Sequence, residues 1–145
     1  MIKRILIIVC VFLSCNSEKT PDRLLEFINA EVKGNTGIIN LSQVNNIKWN
    51  KLYVLAPYTQ ESSFNADLRK YKTEIKGTNI AMLDDACVLL LFNNDKLVSL
   101  SRVKRNIDFS EVSFMMDNKI GAYLKKDAVF HYKKADDGRL IVLKP

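Results

Sequence analysis

The chain has 145 residues, 48% hydrophobic and 26% charged, which supports one globular domain and leaves no room for a second of normal size. Gly (5) and Pro (3) are too sparse for a collagen-like, linker-dominated or disordered chain. The formal charge is +6, from 22 Lys and Arg against 16 Asp and Glu, a basic excess that points toward an anionic partner.

The N-terminus carries Lys3 and Arg4, then the apolar run Ile5 to Leu13, then the small residue Ser14. That order is the pattern of a secretory signal peptide. Crossing ~30 Å of hydrocarbon takes roughly 20 apolar residues, so the run is too short to span. Phe12-Leu13-Ser14-Cys15 resembles the lipobox of bacterial lipoproteins. The resemblance implies diacylglycerol on the Cys15 thiol, removal of residues 1–14 and an often acylated new amino terminus. Cys10 fits less well, because Val9 precedes it and the apolar run continues past it. An ordinary cleaved signal peptide, or a buried N-terminal strand, are the competing readings.

Each buried CH₂ contributes roughly 0.8 kcal/mol, so two or more chains anchor stably. The expectation is a signal peptide 1–14, a tether 15–20 and a single domain 21–145 held at the membrane by Cys15. Asn16, rather than Asp, after the cysteine implies by the same resemblance an outer-membrane protein facing the periplasm. The cut also removes Lys3 and Arg4, leaving 20 basic residues against 16 acidic ones and a charge of +4. Cys87 is then the sole cysteine of the domain, which therefore holds together by its core and not by an internal disulfide.

Thr20-Pro21 reads as an N-cap and first helical position, with Asp22 near the positive helix end. Leu24, Leu25, Ile28 and Val32 form one stripe, predicting a helix over 21–33 that Gly34 and Gly37 end. Short apolar pieces follow at 38–41 and 51–56. In the second, Leu52 and Val54 face one way and Tyr53 and Leu55 the other, a strand covered on both sides. Pro57 stops it. Thr59 is positioned to cap a second helix of about 61–72, whose stripe Phe64, Leu68, Tyr71 continues to Ile75 before Gly77.

Val88 to Phe92 is a continuous apolar run and reads as the central strand. Asn93-Asn94-Asp95 turns the chain into a partner strand, Lys96 to Val103, with Val98 and Leu100 on one face. Across 106–126, Phe109, Val112, Met116 and Ile120 suggest a helical stripe, but Asp117-Asn118 and Gly121 interrupt it, so a broken or loop-like segment is expected. A second hairpin joins 128–133 to 139–143 through Asp136-Asp137-Gly138. Two helices and about five to six strands joined by hairpins predict an α+β fold with a mostly antiparallel sheet.

Catalytic signals are sparse. His131 is the single histidine and alternates with Val129 and Lys133 along a strand, a pattern that fits a half-exposed strand position better than a base or metal ligand. Cys87 lies in the most apolar stretch, where a cysteine behaves as a small hydrophobe. Asp84-Asp85 would point to opposite faces of an extended chain, and Asp136-Asp137 lie in a turn that favours Asp for backbone reasons. Ser62-Ser63 and Ser99/Ser101 lack a Gly-framed elbow, and the scattered glycines form no phosphate cradle. The expectation is a non-enzyme without cofactor or metal.

One cluster stands out, from Ile47 to Thr59, with the only Trp and two of the five Tyr. Trp49-Asn50-Lys51, Tyr53 and Pro57-Tyr58-Thr59 resemble a pattern of small bacterial lipoproteins, over about a tenth of the chain. The resemblance implies an envelope address and no activity. Two readings stand side by side. Trp49 and Tyr53 pack across the sheet onto the second helix, or Trp49, Lys51, Tyr53, Pro57 and Tyr58 form a surface recognition patch. Basic groups at 69–72, 102–105, 125–126 and 133–134 could lie against anionic lipid if they converge. Expected partners are the membrane through Cys15, and an envelope protein or anionic lipid surface; export argues against nucleic acid. A non-catalytic binding or structural role comes first, a small-ligand carrier or sensor second, and a hydrolase using His131 last.

Overall fold

A computed structural model describes residues 21–144. The expected signal peptide, Cys15, the tether and the Thr20 cap lie outside the described residues. In chain order the elements are α1 (Arg23–Glu31), β1 (Thr36–Asn40), β2 (Lys51–Leu55), α2 (Ala66–Lys70), α3 (Lys72–Lys76), β3 (Ala86–Asn93), β4 (Lys96–Lys104), β5 (Ile107–Asp108), β6 (Met115–Met116), β7 (Lys119–Ile120), β8 (Ala122–Leu124), β9 (Val129–Lys134) and β10 (Leu140–Leu143). The class is α+β and mostly antiparallel. The strands form two four-stranded sheets, β4-β3-β2-β8 and β1-β9-β10-β5, and the small hairpin β6-β7, where the sequence suggested a single sheet. Among the described residues only the β10–β5 pair is parallel. Among the described residues no helix is long and apolar enough to cross a membrane.

The first sheet is the middle layer. Its central strand β3 is buried from Ala86 to Phe92, as a strand covered on both faces must be. Alternation then sorts the side chains into two cores. Leu52 and Val54 of β2, with Cys87, Leu89 and Leu91 of β3, face the second sheet and α1, meeting Ile39, Phe130, Tyr132, Val142, Leu24 and Ile28. Tyr53 and Leu55, with Val88, Leu90 and Phe92, face the helical side and meet Phe64, Leu68, Ile75 and Ile80. The two-sided reading of 51–56 holds residue by residue.

Local chemistry moves several boundaries. The cap of α1 is Asp22, whose carboxylate accepts from the Leu25 amide at 3.0 Å and from the Ser101 hydroxyl at 2.6 Å. The helix is thereby bonded to β4. The second helix is not one piece. Residues 61–63 make a 3₁₀ turn, and Asn65 accepts from the Leu68 amide at 3.1 Å to cap α2. A break at Tyr71 (φ −115°, ψ 25°) separates α2 from α3. Thr59 is spent on the Ala56 carbonyl instead, at 2.6 Å. Competing local acceptors explain the split, since Asn and Ser favour caps and turns over helix interiors.

Val98 and Leu100 do not share a face. The β3–β4 register shifts at Leu91/Phe92, so that Val98 is an extra residue on β4. One inserted residue inverts the parity of everything beyond it. Val98 packs on the larger core while Leu97 and Leu100 pack on the smaller one. Across 106–126 the expected broken or loop-like segment is a chain of short pieces, β5, a 3₁₀ turn at 110–112, the hairpin β6-β7 and β8, with no helical stripe. Asp117 and Asn118 both have positive φ, 50° and 60°, as a two-residue turn between antiparallel strands requires.

Candidate functional site

The 49–59 cluster can be followed residue by residue. Trp49 is buried, its indole N–H donates to the Val44 carbonyl at 3.1 Å, and Lys125 Nζ lies 5.3 Å from the ring centroid. Asn50 brackets the β3–β4 turn: its side-chain oxygen accepts from the Asn94 amide at 2.9 Å, and its Nδ2 donates to Asn94 Oδ1 at 2.8 Å. Lys51 forms an ion pair with Asp67 at the start of α2. The Tyr53 hydroxyl donates to the same Asp67 oxygen at 2.9 Å.

That convergence sets the electrostatics. Burial pushes the Tyr53 phenol up to about 12, and the Asp67 carboxylate adds to the rise against an opposing hydrogen bond from Asn65. Burial also works to raise Asp67, but Lys51 and Tyr53 outweigh it and hold the carboxyl below its usual range. The cluster clamps α2 to β2 with its polar atoms satisfied.

Of the five residues read as a recognition patch, Trp49 and Tyr53 are thus buried in opposite cores. Lys51 is committed to Asp67. Pro57 is half-buried and Tyr58 is 56% exposed. Only the last two reach a common surface, and Trp49 does not pack on the second helix as one reading had it.

Tyr58 adopts φ 62°, a left-handed conformation that costs a side-chain-bearing residue roughly 1–2 kcal/mol. It is held there by its own amide, which donates to the Ile80 carbonyl at 2.8 Å. Gln60 Nε2 reinforces the joint by donating to the Tyr58 carbonyl at 3.0 Å and the Ala81 carbonyl at 3.3 Å. The 80–82 segment that receives these bonds lines a cleft of about 270 Å³, with Phe64, Ile75 and Ile80 as its apolar base and Met82 at its edge. Met82 is 78% exposed and Leu83 is also exposed. Glu61 on the rim pairs with Lys76 at 2.7 Å and Lys72 at 3.6 Å, and the Lys76 hydrogen bond keeps its carboxyl below the ordinary value.

A second constellation was not singled out in the sequence. Asp108 is buried, and its carboxylate accepts from Arg105 at 2.7 and 2.9 Å, from Arg139 at 2.8 Å, and from the Ser110 amide and hydroxyl at 2.9 and 2.5 Å. Burial acts to raise this carboxyl, but Arg105 and Ser110 prevail and depress it. The available signal was an acid flanked by Ile107 and Phe109 in an apolar context. Cys87 lies against this group, 3.5 Å from the Ser110 hydroxyl. Burial pushes its thiol up to about 11, so at neutral pH it is not a thiolate nucleophile.

His131 is exposed on the outward face of the second sheet, between Ile38 and Leu143 in register. Among the described residues its ring makes no hydrogen bond, and no group of three or more His, Cys, Asp or Glu is placed to hold a metal. A further cleft of about 540 Å³ lies at the head of α1, lined by Pro21–Arg23, Asn46, Ile47 and Val98–Leu100. Compared with family models, curated proteins and solved structures, the chain finds no match.

Proposed function

We propose that the protein is a lipid-anchored domain of the bacterial cell envelope that binds a protein partner and does not catalyse a reaction. The anchor is supported by the lipobox-like Phe12-Leu13-Ser14-Cys15, with outer-membrane placement following from Asn16. The binding role is carried by one observation: Tyr58 is held in a left-handed conformation with its ring exposed, bonded to the wall of an apolar cleft. A ring that serves the core has no reason to stand in water, and a turn that needs positive φ is cheapest with Gly. Strain kept at an exposed aromatic is a mark of recognition. The cleft, about 270 Å³, is just below the range of drug-sized pockets, about 300–1,000 Å³, and suits an inserted apolar side chain of a partner.

The test is crosslinking in the native envelope, comparing the wild-type chain with Tyr58→Ala and Met82→Asp. A species captured by the wild type and lost in both variants supports the reading. Identical capture in all three defeats it. For the anchor, palmitate label should enter the wild type and be lost in Cys15→Ala; label retained in the variant refutes lipidation there. A small-ligand carrier is the second reading, favoured by the larger cleft at the head of α1, whose mixed lining includes Arg23, Ile47 and Val98.

A further inference from the structure

We propose that β1 is a self-association edge, pairing antiparallel with β1 of a second copy about a two-fold axis at Ile38. β1 terminates the second sheet. Among the described residues, the cross-strand main-chain bonds of 35–41 all go to 128–134, with Asn35 and Leu41 extending the ladder to Lys134 and Ala128. The outer row of amides and carbonyls is therefore free to pair. These outward groups are those of Thr36, Ile38 and Asn40, whereas Gly37, partly exposed, turns its own amide and carbonyl toward β9. Nothing larger fits there, since a Cβ would stand 2.5 Å from the Tyr132 hydroxyl.

The other edges of the two four-stranded sheets carry devices against such pairing. β4 has Lys96, Arg102, Lys104 and the Val98 bulge, and at its middle Ser101 is buried under the start of α1. β5 and β8 have two and three residues. β1, with the sequence Thr-Gly-Ile-Ile-Asn, has no charge and no proline, and exposes Ile38 to 49%.

The strand's own chemistry selects a second copy as occupant. Antiparallel pairing about Ile38 sets Ile38 opposite Ile38, Gly37 opposite Ile39 and Thr36 opposite Asn40. No like charges meet, whereas like charges directly opposite would destabilise the pair. Because Ile38 pairs with His131 and His131 with Leu143, the outward row becomes Leu143-His131-Ile38 continued by the same row of the two-fold-related copy. Two four-stranded sheets merge into one of eight. Five residues a side is less than a standard interface of about 1,200–2,000 Å², so the pairing forms at high local concentration. It does not depend on the role given to Tyr58.

Directly opposed residues of an antiparallel pair have Cα atoms about 4.5–5.5 Å apart, within disulfide reach. The full chain, purified and concentrated, is oxidised with copper phenanthroline as Ile38→Cys, as Thr36→Cys and as Thr36→Cys with Asn40→Cys. Over the wild-type background, Ile38→Cys should give about tenfold more disulfide dimer than Thr36→Cys, and the double variant should restore the yield. Equal yields for the two single variants, or a Thr36→Cys yield above that of Ile38→Cys, overturn the pairing. Ile38→Lys supplies the second measurement. Its thermal midpoint should match the wild type, while the concentration-dependent rise in sedimentation mass disappears. Identical masses for both proteins at every concentration overturn the proposal equally.

Discussion

Asp108 accepts a hydrogen bond from Arg139 at 2.8 Å across 31 positions of chain, and through that contact the 105–110 corner is fixed to the strand that follows Arg139. Arg105 reaches the same oxygen, at 2.7 Å. Asp108→Ala removes an acceptor from both guanidiniums and from Ser110, leaving Arg139 its bond to Asp137 at 2.6 Å and Arg105 its bond to the Asp84 carbonyl at 3.2 Å. The side chains left behind are about a third exposed, 31% and 38%, so water recovers part of their charge. The cost should fall near or below the lower end of the usual 3–5 kcal/mol for breaking a buried pair, about 2–3 kcal/mol. Urea unfolding measures it; a loss under 1 kcal/mol would mean the network is decorative.

The same carboxylate shapes acid stability. Asp108 and Asp67 both have folded-state pKa values below their ordinary value. A depressed acid contributes stability above its unfolded pKa and loses it as pH falls through the folded one. Stability should therefore hold from neutrality down to about pH 4 and decline below it. Asp108→Asn should be less stable at neutral pH and show a shallower acid decline. Urea midpoints between pH 7 and pH 2 test both statements, and parallel curves for the two proteins would contradict them.

Tyr53 gives the alkaline counterpart. Its phenol is raised to about 12 against an ordinary 10, so the folded state favours the protonated form. The resulting stability is complete below about pH 10 and is lost as pH rises through the folded value. Burial also raises Tyr123, so ultraviolet titration should show a late component near pH 12 that is lost in Tyr53→Phe. That variant also leaves Asp67 with one donor fewer, a loss of about 1.5–3 kcal/mol for a hydrogen bond to a charged acceptor.

Gly121 closes the small hairpin, its amide donating to the Phe114 carbonyl at 2.9 Å. A Cβ at this position would overlap the Phe114 ring, which is itself packed edge-on to Tyr123 at 4.9 Å. Gly121→Ala should cost about 1–3 kcal/mol as the ring is pushed from its place. The damage should be local, so amide exchange across 113–123 should accelerate before that of β3. Uniform acceleration would show that the hairpin is not a separable unit.

What the sequence reveals follows from how each element is stabilised. β3 is legible because burial on both faces leaves an unbroken apolar run, and β2 because its alternating residues enter two cores. The 106–126 region resists reading because strands of two or three residues have no measurable period. Its spaced hydrophobics then imitate a helix, and Asp117-Asn118 is the one local signal of a hairpin. The Val98 bulge is invisible to alternation, since a single insertion leaves composition unchanged. At the candidate site, aromatic content marked the 49–59 region, but residue type alone does not separate Trp49 and Tyr53, which serve the cores, from Tyr58, which does not. Asp108 was missed because its partners, Arg105 and Arg139, are assembled by the fold.

Tyr58 allows stability and recognition to be measured apart. Replacing it with Gly relieves a left-handed backbone worth about 1–2 kcal/mol and costs about 0.5–1 kcal/mol in added freedom of the unfolded chain. The net expectation is a gain of about 0.5 kcal/mol, with the amide bond to Ile80 retained. A residue that is 56% exposed contributes little to the core, so loss of its ring should not reverse that sign. Tyr58→Gly should therefore melt at or slightly above the wild-type temperature while losing partner capture in the envelope. Tyr58→Phe keeps the apolar face of the ring and should retain most of the capture. If Tyr58→Gly unfolds more easily than the wild type, the ring supports the fold and the strain at this turn has a structural purpose.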